Sequence, residues 1–312
     1  MQVIFEISKE HPTLPVAEAR ACLSSYEHDY REIYHNGIYM AGAGEEAVKK
    51  TYPRVAMSFS ISEYIGEGME AAEKICIHGT FKVEGGRFYQ RKKLGKMIVE
   101  KCGVRVDMEN PENVIKIFQK GRNMILGRQI YVINRSQFEE RRTSKWPFSM
   151  PTAMHPRIAR VLVNLSGVKE GELLLDPFCG AGGILIEGGL VGCRVRGIEI
   201  KEEVAKGCEM NLNYYGIEDY EIMKGDMRDF DFSGVDAIVT DFPYGRASHL
   251  SDEMEKLYEE AIRKMAEWTS KAVIGMPSLK FLPMVEKYFD VRQIHCARVH
   301  RSLTRFFYVL GN

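Results

Sequence analysis

The sequence predicts an α/β protein whose second half is an open, mainly parallel sheet wound by helices, preceded by a looser α+β region. Three observations carry this. From residue 172 onward short apolar β runs alternate with helical stretches. A glycine turn, Asp176-Pro-Phe-Cys-Gly-Ala-Gly-Gly183, joins the first of those runs to a helix. The first half mixes shorter elements of both kinds without that regular alternation.

In order, Glu172–Asp176 reads as a strand and Ile184 opens the helix behind the glycine turn. Cys193–Ile200 is the second strand, followed by a helix over about 201–215 that Gly216 stops. Tyr220–Lys224 and Val235–Thr240 are further strands. Glu253–Thr269 has helical spacing, Ala272–Met276 is β, Lys280–Phe289 is helical, and Val291–Arg298 and Arg305–Leu310 are β. In the first half, Val3–Ser8 and Gly37–Ala41 read as strands, with a helix over Val16–Ser24 after Pro15. Val55–Ile61 begins another β–α alternation; Glu67–Ala72 and Lys92–Lys101 are helical. Cys76–Val83, Val114–Gln119 and Gly127–Asn134 are β. Residues 136–157, rich in Arg, Pro and Ser, read as a linker with its core at 141–157.

A chain of 312 residues suits two domains. Its 45% hydrophobic and 28% charged content is that of a globular protein. No run approaches the ~20 apolar residues of a membrane span, and the N-terminus lacks the pattern of a secretory signal. Seven cysteines without a Cys-x-x-Cys pair argue against a metal site and a disulfide framework, and fit the cytoplasm. The net charge of zero hides a basic stretch: residues 82–146 hold 16 Lys/Arg against 7 Asp/Glu, an excess of nine. Such a field can neutralise phosphates.

An apolar strand that ends in small residues and enters a helix builds a ligand niche at the strand's carboxyl end. Gly180, Gly182 and Gly183 form it here, with Leu185 where a dinucleotide loop would place its third glycine. Two more acids follow at strand ends. Glu199 can accept ribose hydroxyls and Asp226 an adenine amino group. Asp176 beside the loop disfavours a pyrophosphate and suits S-adenosylmethionine, a cationic adenosine ligand without phosphate. Phe178, Ile200 and Met227 stand beside these acids and complete the expected cofactor-binding set, together with Asp241.

Thr240-Asp-Phe-Pro-Tyr-Gly245 ends the fourth strand. An exocyclic amine conjugated to a base is a poor nucleophile, because its lone pair is delocalised. A carboxylate and a backbone carbonyl at fixed angles can accept its two hydrogens and draw off charge as a methyl group arrives. Asp241 and the carbonyl of Phe242 suit those roles, Pro243 stiffens the turn, and Tyr244 can stack on an extruded base.

With these motifs the chain resembles the amino-methyltransferases bearing an (Asp/Asn/Ser)-Pro-Pro-(Tyr/Phe) tetrapeptide. Among them it is most similar to the archaeal tRNA guanosine N2-methyltransferases acting at position 10. The segment Ser149–Arg160 resembles the stretch that closes over the cofactor in that family. The resemblance implies a Rossmann-like S-adenosylmethionine methyltransferase domain over 158–312 and a linker over 141–157. It also implies a THUMP RNA-binding domain over 51–140 and a ferredoxin-like unit over 1–50. It makes tRNA the partner, guanine N2 the acceptor, and N2-methyl- or N2,N2-dimethylguanosine the product. The family's first motif proline is Phe242 here, which leaves the carbonyl in place but alters the turn.

For RNA contact, Phe88 and Tyr89 interleave with Arg87, Arg91, Lys92, Lys93 and Lys96; Arg122 joins that set, and Arg246 and His249 follow the tetrapeptide. Trp146, Trp268 and His155 read as structural, Asp229 and Asp231 as solvated. Two alternatives remain on the residues alone: a DNA or RNA adenine-N6 or cytosine-N4 amino-methyltransferase, and a non-catalytic RNA-binding protein. The residues leave undecided whether the chain works as a monomer or with a small activator subunit.

Overall fold

The computed structural model describes residues 1–243, 252–300 and 303–311. Tyr244, Arg246 and His249 of the expected site lie outside them. The chain divides into two compact units, 1–134 and 135–312.

The first unit is built on one sheet. Its elements are β1 (Gln2–Ile7), α1 (Leu14–Tyr26), β2 (Arg31–His35), β3 (Tyr39–Gly42), α2 (Glu45–Thr51), β4 (Ser58–Glu67), β5 (Thr80–Gly85), α3 (Phe88–Cys102), β6 (Arg105–Val106), β7 (Asn113–Lys120) and β8 (Asn123–Val132). The strand order is β2-β3-β1-β4-β8-β7-β5-β6. Among the described residues, three apolar clusters pack on this sheet, the smallest of them Ile4, Ile38, Met40, Phe118 and Ile125. Of the two larger, one gathers Val3, Phe5, Leu23, Tyr39 and Ile61; the other gathers Phe81, Leu94, Ile98, Ile115 and Leu126. The strands are therefore continuous while the core is divided. β2 escaped the sequence reading because Arg-Glu-Ile-Tyr-His carries no apolar run; it is an edge strand held by pairing with β3. Helix α3 starts four residues earlier than its periodicity suggested. The Gln90 side chain accepts the Arg87 N–H at 2.7 Å and so caps the first turn.

The second unit contains α4 (Ser136–Glu140), α5 (Pro156–Leu165), β9 (Leu173–Asp176), α6 (Gly183–Gly189), β10 (Arg194–Glu199), α7 (Glu202–Tyr214), β11 (Tyr220–Lys224), β12 (Ala237–Asp241), α8 (Asp252–Trp268), β13 (Lys271–Met276), α9 (Leu282–Val285), β14 (Asp290–His300) and β15 (Leu303–Gly311). The order β11-β10-β9-β12-β13-β15-β14 is that of a doubly wound, Rossmann-like sheet. β9 to β13 are parallel, and β15 runs antiparallel between β13 and β14. The strand order reverses between β9 and β12, which opens a crevice at their carboxyl ends.

Residues 141–157 pack into this second unit and are not a free linker. Two residues of this stretch, Arg141 and Trp146, are used in contacts with the unit's interior. Arg141 and Arg160 meet the buried Glu187 carboxylate at 2.9 and 2.8 Å. Buried Trp146 donates its indole N–H to the Arg141 carbonyl at 2.8 Å. The helix expected over 280–289 is reduced to one tight turn, Leu279–Phe281, and the short α9.

Candidate active site

The glycine turn leaves β9 at Asp176 and enters α6. Gly182 sits at φ +85°, a left-handed conformation that L side chains rarely adopt, so the tight entry needs glycine there. The turn, the ends of β10 and β12, and residues Met150, Thr152, Ala153 and Met154 enclose a cavity of about 410 Å³. That volume falls in the range of small-molecule sites, ~300–1,000 Å³. Asp176, Phe178, Gly180, Glu199, Ile200, Asp226, Met227, Asp241, Phe242 and Pro243 all line it. Four strand-end acids thus converge on one space.

Their environments differ. The Asp176 carboxyl is buried, accepts the Thr240 hydroxyl at 2.6 Å and the Phe178 N–H at 3.1 Å, and is pushed up to about 7. Burial is the main cause, with Asp241 and Glu199 adding repulsion. Glu199 accepts the Lys201 N–H at 2.9 Å, and Ile200 beside it is exposed. Asp226 reaches the cavity already engaged. Its two oxygens take the Arg228 amide and guanidinium at 2.7–3.0 Å, and this ion pair holds it below the usual carboxylate range. It can serve an adenine amino group only as a shared acceptor. Cys179 is buried against Cys208, and that contact and the burial push its thiol up.

The donor set fits S-adenosylmethionine. A buried acid raised to about 7 marks a position where a cation would be welcome. Glu199 and the exposed Ile200 line the cavity side by side, a carboxylate acceptor next to an apolar surface.

The tetrapeptide is anchored through its second residue. Phe242 is buried, its ring 5.1 Å from Phe178 and 5.0 Å from Tyr258, edge-on to the latter. Tyr258 continues the row to Phe281. The Phe242 N–H donates to the Gly275 carbonyl at 3.0 Å, a bond that proline could not make. The Tyr258 hydroxyl, pushed up to about 12 by burial and by Asp241, donates to the Pro243 carbonyl at 2.6 Å. Aromatic packing and two hydrogen bonds therefore hold the turn that a second proline stiffens in related motifs.

Sequence reasoning missed three residues. Asn211 is fully buried on α7 and binds Phe148 through both its N–H and carbonyl, and the Ala181 carbonyl at 2.9 Å. It ties the segment before α5 to the glycine turn. Its signal was an amide on the apolar face of α7, aligned with Val204 and Cys208. Tyr258 gave no signal beyond helical spacing. Arg305, a lone charge opening the apolar run Arg305–Leu310, lines the cavity and reaches Asp241. Trp146 and Trp268 are buried packing residues. The His155 ring caps α5 by accepting the Arg157 N–H at 3.2 Å.

In the first unit, Arg87, Lys92, Lys93, Lys96 and Arg122 are exposed, as are Phe88 and Tyr89. Arg91 differs: its guanidinium donates to the Gly85 and Gly86 carbonyls and lies over the Phe88 ring.

A Rossmann-like sheet with a glycine turn, strand-end acids and this tetrapeptide at its switch point defines a methyltransferase. Residues 143–306 match the family described as RMKL-like, methyltransferase domain. The tRNA (guanine(10)-N2)-dimethyltransferase of Methanothermobacter thermautotrophicus is 37% identical over 99% of both chains. That of Pyrococcus abyssi is 33% identical over 87% of this chain and 89% of its own. The crystal structure of TrmN from Thermus thermophilus shares the fold over the whole of both chains, with a TM-score of 0.53 at 18% identity. The chain belongs to the tRNA (guanine(10)-N2)-dimethyltransferase family.

Proposed function

We propose that the protein transfers methyl groups from S-adenosylmethionine to the exocyclic N2 amine of the guanosine at position 10 of tRNA, in the cytoplasm. The products are N2-methylguanosine and N2,N2-dimethylguanosine. The observation that carries this reading is the meeting of Asp241 and the glycine turn in one cavity, in a chain of this family.

Bound S-adenosylmethionine supplies a methyl group on a sulfonium, which departs as a neutral thioether. The protein's own residues do the rest. Asp241 and the Phe242 carbonyl accept the two amine hydrogens, so nitrogen becomes pyramidal and its lone pair points at the methyl carbon. As the N–C bond forms, positive charge grows on nitrogen and Asp241 stabilises it. Asp241 is also the acceptor at hand for the proton that nitrogen then releases. Tyr258 and the Phe242 N–H keep the turn from yielding while this happens. Alignment contributes most of the acceleration in such a displacement. A second methyl needs the same geometry with one hydrogen left to accept.

The first unit carries the tRNA; it takes in the ferredoxin-like unit over 1–50 and the THUMP domain of 51–140 up to residue 134, where the second unit begins. Its exposed Arg87, Lys92, Lys93, Lys96 and Arg122 meet phosphates, and Phe88 and Tyr89 offer stacking faces. Arg246 contributes beside the target nucleotide. Nucleoside mass spectrometry of a tRNA transcript incubated with the protein and S-adenosylmethionine tests the reading. Mono- and then dimethylated guanosine at position 10 is expected; methylated adenosine, or no methylation, would overturn it.

A further inference from the structure

The C-terminal strand carries a buried cation that the chemistry above leaves unused. Arg305 is 6% exposed. It precedes Phe306 and Phe307, which pair with Met276 and Gly275 of β13. Gly275 in turn pairs with Asp241 on β12. Arg305 and Asp241 thus stand on strands separated by one other, roughly 10 Å apart in the sheet. The arginine bridges that gap: Nη2 lies 2.9 Å from Asp241 Oδ2.

The strand between them makes this possible. A Cβ at position 275 would collide with Asp241 Oδ1, so the glycine is the clearance through which carboxylate and guanidinium meet. The same Nη2 also donates to the Thr152 carbonyl at 3.2 Å. Thr152 lies between Met150 and Ala153 in the segment that walls the cofactor cavity. One guanidinium therefore joins the reacting carboxylate on β12, the cavity wall and β15.

A buried arginine is costly unless it is paired. Downstream of it, Phe307, Tyr308, Val309 and Leu310 of β15 are buried apolar residues, so the charge stands at the start of an apolar run. Asp241 and Thr152, with which it is paired here, both line the reaction chamber. A planar guanidinium also fixes the angle between its bonds, which a lysine ammonium on a more flexible stem does not.

We propose that Arg305 is a positioning residue: it aims the Asp241 carboxylate at the incoming amine and locks it to the Met150–Met154 wall. Seating of the wall and orientation of the acid then become one event. The proposal rests on the methyl-transfer reading given above.

The test uses the full-length chain with tRNA transcript and S-adenosylmethionine, comparing wild type, Arg305→Lys and Arg305→Ala. Melting temperature and affinity for S-adenosylhomocysteine are measured beside kcat and KM. A carboxylate misplaced by about 1 Å can cost on the order of 100-fold in rate, so a kcat loss of that order is expected in Arg305→Ala with KM for tRNA little changed. Added guanidinium ion should restore part of that kcat, which it would not do for an arginine serving only the fold. Arg305→Lys should keep the wild-type melting temperature and still lose kcat. Wild-type kcat in Arg305→Lys overturns the proposal, and so does a folded Arg305→Ala variant that guanidinium fails to rescue. Should Arg305→Ala not fold, Arg305→Lys decides alone. Absence of methylated guanosine with the wild-type protein would instead defeat the underlying reading.

Discussion

Replacing Phe242 by proline would install the residue that related tetrapeptides carry at this point, and remove what this chain uses in its place. Three contributions set the size of the effect. The ring is fully buried between Phe178 and Tyr258. Truncating such a phenylalanine to alanine costs about 3–5 kcal/mol, and proline keeps part of the volume, so about 2–4 kcal/mol is lost. The N–H bond to the Gly275 carbonyl disappears, worth about 1 kcal/mol. Restricting the unfolded chain returns about 0.4–1 kcal/mol. The net is a destabilisation of about 3 kcal/mol. Both tryptophans, Trp146 and Trp268, belong to the second unit, so their fluorescence reports its unfolding separately from the first unit. In urea, where small domains lose about 1–3 kcal/mol per molar, the midpoint should fall by about 1–3 M. Methyl transfer below that midpoint should fall with it, because the turn has lost its anchor. A midpoint equal to or above wild type would refute the claim that aromatic packing replaces the missing proline.

Asp241→Ala should abolish methyl transfer while affinity for S-adenosylhomocysteine persists; turnover near wild type would remove Asp241 from the mechanism. The Asp176 carboxyl titrates at about 7 in the fold against its ordinary 3.8, so the neutral form is the one that folding favours. Its contribution to stability is complete below its unfolded value and is lost as pH rises through about 7. Asp176→Asn should therefore melt higher than wild type in mildly alkaline buffer, with the gap closing in acid; a constant gap across that window would contradict the assignment. Replacing Lys92, Lys93, Lys96 and Arg122 by glutamine should weaken tRNA binding and reduce the salt slope by about 0.7–0.9 per lost phosphate contact. An unchanged slope would clear these side chains of any phosphate role.

Much of the second unit was legible because its information is local. A strand ending on Asp176, a left-handed glycine turn and a following helix are consecutive residues, and the turn's chemistry is written in them. The same holds for Glu199 and Asp226, each at the end of its own strand, and for Asp241-Phe-Pro, whose roles follow from residue type. The first unit was harder. β2 has polar composition and depends on pairing with β3. α3 begins at a cap made by a side chain, so periodicity alone placed its start too late.

What the sequence by itself pointed to was the kind of chemistry: a glycine turn behind a strand, acids at successive strand ends, and a helix rich in cations. What only the tertiary structure decided was how those groups are held. Phe242 reads as a departure from a motif until Phe178 and Tyr258, from a loop and a distant helix, close around its ring. Residues 141–157 read as a tether until Glu187 is found buried against Arg141 and Arg160. Arg305, 64 positions beyond Asp241 in the numbering, reaches it only because strand order sets β15 one strand from β12, with Gly275 leaving room between. Local preferences act over a few residues along the chain. Buried ion pairs and aromatic stacks form between residues that the sheet brings together, and no window of sequence contains both partners.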